Sequence, residues 1–300
     1  MNQNLSGNFS LNITKLPVWI IYSDAFAVWT TLSLAFSVIS TLASLLLLFA
    51  IFHRGIRWGS QMLIANVIVL EALVSAVILP TAVLTSYFPS LRLTAAGCDY
   101  YYFFVVWIPH GAQYASLLLA VNRVNAIFCP HRYGQWRNRR FLVPVVALCW
   151  IISFSLACGY VGKIGATGPW PSCGISVTSP SEQLFLSVFL TVFGLYIPLA
   201  GTCLCYLAIF CSGIWRRLSR CGIVNTGVTS NGVENVQQKR QIIANVLVVS
   251  CAVSLLCYLP LCLAYSVLLR VVIQYPPAIL WMRLVYYMGY AGNSLKEVCR

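Results

Sequence analysis

Apolar residues in this chain run in long blocks, separated by short polar stretches. Seven blocks approach the roughly 20 residues that an α-helix, rising about 1.5 Å per residue, needs to cross a bilayer. They cover about 25–52, 62–87, 100–128, 141–162, 184–211, 242–269 and 278–295. The last is the shortest and contains Arg283. The first 24 residues hold no compact apolar signal segment, so the first block is expected to act as its own anchor. The one long polar stretch, about 212–241, is rich in Gly, Ser and Asn with basic ends and reads as a flexible linker. The pattern predicts an all-α membrane protein, a seven-transmembrane helix bundle. It divides into an N-terminal segment (1–24), the helical domain (25–295) and a short divergent end (296–300).

Composition narrows the class. Of 300 residues, 60% are apolar and 8% charged, and the mean hydropathy is +0.82. A soluble domain carries roughly a quarter charged residues. A cytosolic enzyme and a disordered chain are therefore excluded. His53, His110 and His131 show no metal-binding spacing, and no catalytic constellation appears, so no metal, cofactor or enzymatic activity is expected. A transporter or channel subunit is the alternative class. It would call for internal repeats or paired broken helices, and neither is visible.

The net charge of +13 could point to nucleic acid, so the positions of the basic residues decide. With the N-terminus outside, the three inner loops carry Arg54 and Arg57; Arg123, Arg132, Arg137, Arg139 and Arg140; and Arg216, Arg217, Arg220, Lys239 and Arg240. The outer segments carry Lys15, Arg92, Lys163 and Arg270. That bias sets the N-terminus outside and the C-terminus inside, and it accounts for the charge without a nucleic-acid partner. Three glycosylation sequons agree, at Asn4, Asn8 and Asn12 within the first 14 residues.

Most of the 13 cysteines lie in apolar runs and act as small hydrophobes. Cys98 and Cys173 fall on the outer face, where a disulfide persists. Pairing them would pin the loop over the bundle; the alternative is two free surface thiols. Arg123 lies 25 residues after Cys98, roughly 37 Å along a helix and so about one bilayer away. Its plain reading is a snorkelling interfacial anchor.

The string from Ala120 to Tyr133, with Asn122-Arg123-Val124 and Pro130, resembles the rhodopsin-like family of G protein-coupled receptors. That family ends its third helix in Asp-Arg-Tyr with a proline seven residues on. Four further matches come in order. Leu63-Ile64-Ala65-Asn66 runs to Glu71, where the family has Asp. Trp150 stands in the fourth block. Pro198 and Tyr206 lie eight apart in the fifth. Cys257-Tyr258-Leu259-Pro260 takes the place of Cys-Trp-x-Pro in the sixth. The Asn-Arg variant with Pro130, Tyr133 and Trp136 is similar to nematode serpentine chemoreceptors of the V/G-type groups.

The resemblance implies a multi-pass plasma-membrane receptor for an extracellular chemical or peptide that activates a heterotrimeric G protein. Arg123, Pro130 and Tyr206 would couple to the G protein. Glu71, Pro198, Tyr258 and Pro260 would form the activation switch, with the two prolines kinking their helices. Glu71 must face the bundle interior, since an ionisable group in lipid is costly; its plain reading is interhelical polar glue. Asn122 cannot make the acid–Arg pair that quiets many relatives, which predicts basal signalling. Tyr102, Val105, His110, Gln113 and Tyr258 would line a ligand pocket. Val105 stands where amine receptors carry Asp, so a biogenic amine is not expected. The aromatic run Tyr100–Trp107 suits a hydrophobic ligand or an ordinary membrane belt. Lys296 follows Asn293-Ser294, the wrong register for a retinal lysine. The chain then gives Lys296-Glu297-Val298-Cys299-Arg300 where the family continues Asn-Pro-x-x-Tyr. This predicts a receptor cut short in its last helix, either signalling or a non-signalling isoform.

Overall fold

Each apolar block that the structure covers in full is a helix. The structure, a computed structural model, describes residues 23–53, 60–87, 95–129, 133–134, 138–159, 164–166, 173–175, 185, 188–221, 249, 252–261, 263 and 281–289. Helix α1 is Ser23–His53. Helix α2 runs as Ser60–Leu73, widens into a π turn at Val74–Ile78, and continues as Leu79–Tyr87. Helix α3, Ala95–Phe128, is 34 residues long with Pro109 inside it. Helix α4 is Arg139–Cys158. Helix α5 starts at 188, passes a second π turn at Val192–Tyr196, and continues as Ile197–Cys221. Two shorter helices follow, α6 (Ala252–Leu261) and α7 (281–289).

Five of these are long and apolar enough to cross a membrane: Asp24–His53, Ser60–Leu84, Asp99–Phe128, Arg139–Cys158 and Val188–Ser212. They coincide with the first five predicted blocks to within a few residues at most ends. Most of the predicted blocks 242–269 and 278–295 lies outside the described residues beyond α6 and α7. One element was not predicted. In the α4–α5 connection, β1 (Ile164–Ala166) pairs antiparallel with β2 (Cys173–Ile175), Ala166 opposite Cys173. This hairpin packs against α3.

The start of α4 shows why it begins where it does. Asn138 sits in extended backbone, and its side-chain oxygen accepts from the Arg140 N–H at 3.1 Å. That satisfies one of the orphan donors of the first turn.

The bundle is apolar on both sides. Leu46 and Phe49 of α1, Ile151 of α4, Leu204 of α5 and Leu256 of α6 are between 59% and 71% exposed. In water this would be an aggregating surface; against lipid it is the expected outer face. Lipid gives helices no hydrophobic reason to associate, so close packing and interhelical hydrogen bonds must hold them. Helix α3 lies at the centre, packed on α2, α4 and α5. Its Ile108, Ala112, Ala115 and Leu119 join Leu70 of α2, Leu142 of α4, Leu199 of α5 and Tyr258 of α6 in one buried core. Helix α1 packs on α2 and buries Ser33, Ser37, Ser40 and Ser44, spaced three or four apart along one stripe. Ser37 Oγ donates to the Ser75 carbonyl of α2 at 2.6 Å.

Candidate functional site

Three sets of residues within the bundle bring the expected site positions together. The first lies in the middle of the bundle. Glu71 is 1% exposed on α2, as a carboxyl at this depth requires. One turn further along α2, Ser75 Oγ donates to the Glu71 backbone carbonyl at 2.9 Å. One turn back, Asn66 Oδ1 accepts from the indole Trp150 Nε1 at 3.0 Å. The two polar motif residues of the second and fourth blocks thus tie α2 to α4.

The second set lies toward the hairpin end, where the notional ligand wall divides by direction. Phe103 and Trp107 turn to α4. Trp107 packs edge-on against Trp150 and Phe154, with ring centroids 5.7 and 5.4 Å apart, and Phe103 lies 5.4 Å from Phe154. Tyr100 is 70% exposed on the outer surface. These rings pack helices or face outward, as the membrane-belt reading of the run has it. Val105 does face inward, packed on the central core, and Gln113 is buried; Tyr102 is half-buried.

His110 is committed to α5. Its Nδ1 contacts the Val106 carbonyl of its own helix, and the ring also meets the Leu190 carbonyl. The imidazole fills the space beside Gly194, so any Cβ at that position would coincide with the ring. One turn along α3, Tyr114 OH donates to the Phe193 carbonyl at 2.7 Å. Tyr258 of α6 is buried with its ring edge-on to Tyr286 of α7, centroids 5.2 Å apart. A Cβ at Gly289 would lie 2.8 Å from Tyr258 Cε1, so only glycine lets α7 approach this closely. Pro260 follows Tyr258 by two residues in α6, and Pro198 is buried in α5.

The third set lies at the Arg123 end. Tyr206 of α5 is buried with Ala120 of α3 and Ile209, and Val124, Ile127 and Leu255 of α6 pack around them. Arg123 is half-buried on the same stretch of α3. Its neighbour Asn122 is 3% exposed, and its amide nitrogen has no hydrogen-bond partner among the described residues. Helices α3, α5 and α6 thus close on one another at this end.

Cys98 lies in the first turns of α3 and Cys173 opens β2, but their side chains fall outside the described residues. Asn4, Asn8, Asn12 and Pro130 lie outside them altogether. Among the described residues no group of His, Cys, Asp or Glu could hold a metal ion. Three site residues were missed from sequence: Gly194, Gly289 and Tyr114. The available signal for Gly194 was a lone glycine amid Phe193, Leu195 and Tyr196, four residues before Pro198.

Residues 42–279 match the family described as 7 transmembrane receptor (rhodopsin family). Among individual proteins, human melanin-concentrating hormone receptor 2 is 30% identical over 97 residues, 31% of this chain and 28% of that receptor. The D(2) dopamine receptor A of Xenopus laevis is 22% identical over 182 residues, 60% of this chain and 39% of that receptor. The human adenosine receptor A2a is 23% identical over 149 residues, covering 49% and 34%. The matched segments span between 28% and 39% of these relatives' lengths. The match reaches the family and not the narrower nematode grouping. With the family matched over most of its length and five apolar spans in its bundle, the chain belongs to the rhodopsin family of seven-transmembrane receptors, multi-pass proteins of the plasma membrane.

Proposed function

We propose that the chain senses an extracellular ligand and activates a heterotrimeric G protein, carrying out no chemistry itself. The observation that carries this reading is the closure at the Arg123 end. Tyr206 of α5 and Leu255 of α6 pack against α3 one turn from Arg123. An outward swing of α6, hinged at Pro260, would part that cluster and open a crevice beside Arg123 for the G protein. Tyr258, buried between α6 and α7, would carry ligand contact into that bend.

In this reading the N-terminus and the hairpin face outward and the Arg123 end faces the cytoplasm, as the basic residues of the loops require. Cys98 and Cys173 form a disulfide. Support comes from the packing of the hairpin, which carries Cys173, against the helix that carries Cys98. Glycans sit on Asn4, Asn8 and Asn12. The ligand is a peptide or an uncharged small molecule. Val105 packs into the apolar core and offers no carboxylate to an ammonium group. Relatives named for hormones, dopamine and adenosine span too wide a chemistry to select one ligand.

Guanine-nucleotide exchange on purified heterotrimers tests the reading. Membranes carrying the chain should accelerate exchange, and one member of a peptide and small-molecule panel should accelerate it further. Exchange equal to that of empty membranes across several G protein classes would contradict it.

A further inference from the structure

The two π turns stand in the same register to a proline. Val74–Ile78 ends two residues before Pro80, and Val192–Tyr196 ends two before Pro198. Each closes with a bond that spans five residues: the Leu79 N–H donates to the Val74 carbonyl, and the Ile197 N–H to the Val192 carbonyl. The next donor in line is the proline, which has no N–H. The carbonyl five residues before it therefore receives nothing from that position. In α2 this is Ser75, and in α5 it is Phe193. Inside a bilayer there is no water to replace the missing donor, so a neighbouring group must supply it.

In both helices the replacement is a hydroxyl from another helix. Ser37 Oγ of α1 donates to the Ser75 carbonyl at 2.6 Å, and Tyr114 OH of α3 donates to the Phe193 carbonyl at 2.7 Å. These two carbonyls are the ones the prolines leave open. At α5 the grip is wider, because His110, one turn from Tyr114 on α3, fills the space at Gly194 and meets the Leu190 carbonyl.

We infer that Ser37 and Tyr114 are cross-helix caps that set the two proline bends, so that the bend of α5 is governed by α3. α5 cannot change its bend at Pro198 without breaking the Tyr114 bond or carrying α3 with it. That role in signalling rests on the receptor reading; the cap itself does not.

A double-mutant cycle on the purified full-length chain tests the cap. Tyr114→Phe should lower the Tm by about 2–5 °C, since it leaves the Phe193 carbonyl unmatched where lipid offers no donor. In a Pro198→Ala background the same change should cost less than about 1 °C, because alanine restores an N–H beside the open carbonyls. Ser37→Ala should show the same dependence on Pro80→Ala. Equal losses with and without the proline would overturn the inference. Should Tyr114→Phe alone fail to fold, restored surface expression on adding Pro198→Ala supports it and no restoration overturns it. The cycle reads stability only. A chain that folds and activates no G protein would refute the receptor reading while the cycle still decides the cap.

Discussion

Trp150 of α4 donates its indole N–H to Asn66 Oδ1 of α2 across 3.0 Å, between residues 84 positions apart in sequence. The bond joins two of the motif positions that mark the family, and it crosses an interface that lipid alone would not drive together. The Asn66 amide nitrogen has no partner among the described residues, so the indole is the side chain's visible anchor. Trp150→Phe should therefore cost about 1–2 kcal/mol of stability, read as a lower Tm in detergent. Adding Asn66→Leu should recover part of the loss by removing the stranded amide. A Tm unchanged by Trp150→Phe would contradict the role given to this bond.

The His110 ring occupies the space that a side chain at Gly194 would need. Gly194→Ala should destabilise the chain by about 1–3 kcal/mol through overpacking. In a His110→Ala background the cost should largely vanish, because the ring is gone. Surface expression and thermal unfolding both read this. The same loss in both backgrounds would place the strain elsewhere.

Peptide mapping of the unreduced chain should recover Cys98 joined to Cys173. A bond closing so long a loop contributes about 2–4 kcal/mol. Cys98→Ser and Cys173→Ser should therefore lower surface expression equally, and the double variant no further. Alkylatable free thiols at both positions in the native chain would refute the pairing.

Asn122 is buried beside Arg123, and its amide nitrogen lacks a partner among the described residues. A carboxylate at 122 would sit next to the guanidinium and restrain it, a pairing the amide cannot make. Asn122→Asp should lower ligand-independent nucleotide exchange per receptor at the surface. Unchanged or raised basal exchange would show that Arg123 is held by other means.

Much of the bundle was legible because a bilayer imposes one length and one composition on every span. The first five apolar runs became helices within a few residues of their predicted ends for that reason. The π turns were not legible. Wide and ordinary helical turns share the same apolar content, and Pro80 and Pro198 announce a bend without giving its register. The glycine seats at Gly194 and Gly289 were hidden because their partners, His110 and Tyr258, are 84 and 31 positions away. Composition also could not separate the inward from the α4-facing positions of α3. Val105 and Trp107 are two residues apart on one helix, yet one faces the core and the other packs edge-on against Trp150. Only the packing of α4 on α3 distinguishes them.

In the proposed function, Arg123 lies at the point where α3, α5 and α6 part to admit a G protein. Basal guanine-nucleotide exchange by the native chain and by Arg123→Ala, at matched surface expression and unchanged Tm, tests it most directly. The native chain should exceed empty membranes, and Arg123→Ala should fall to their level. Basal exchange equal in the two chains would contradict the account.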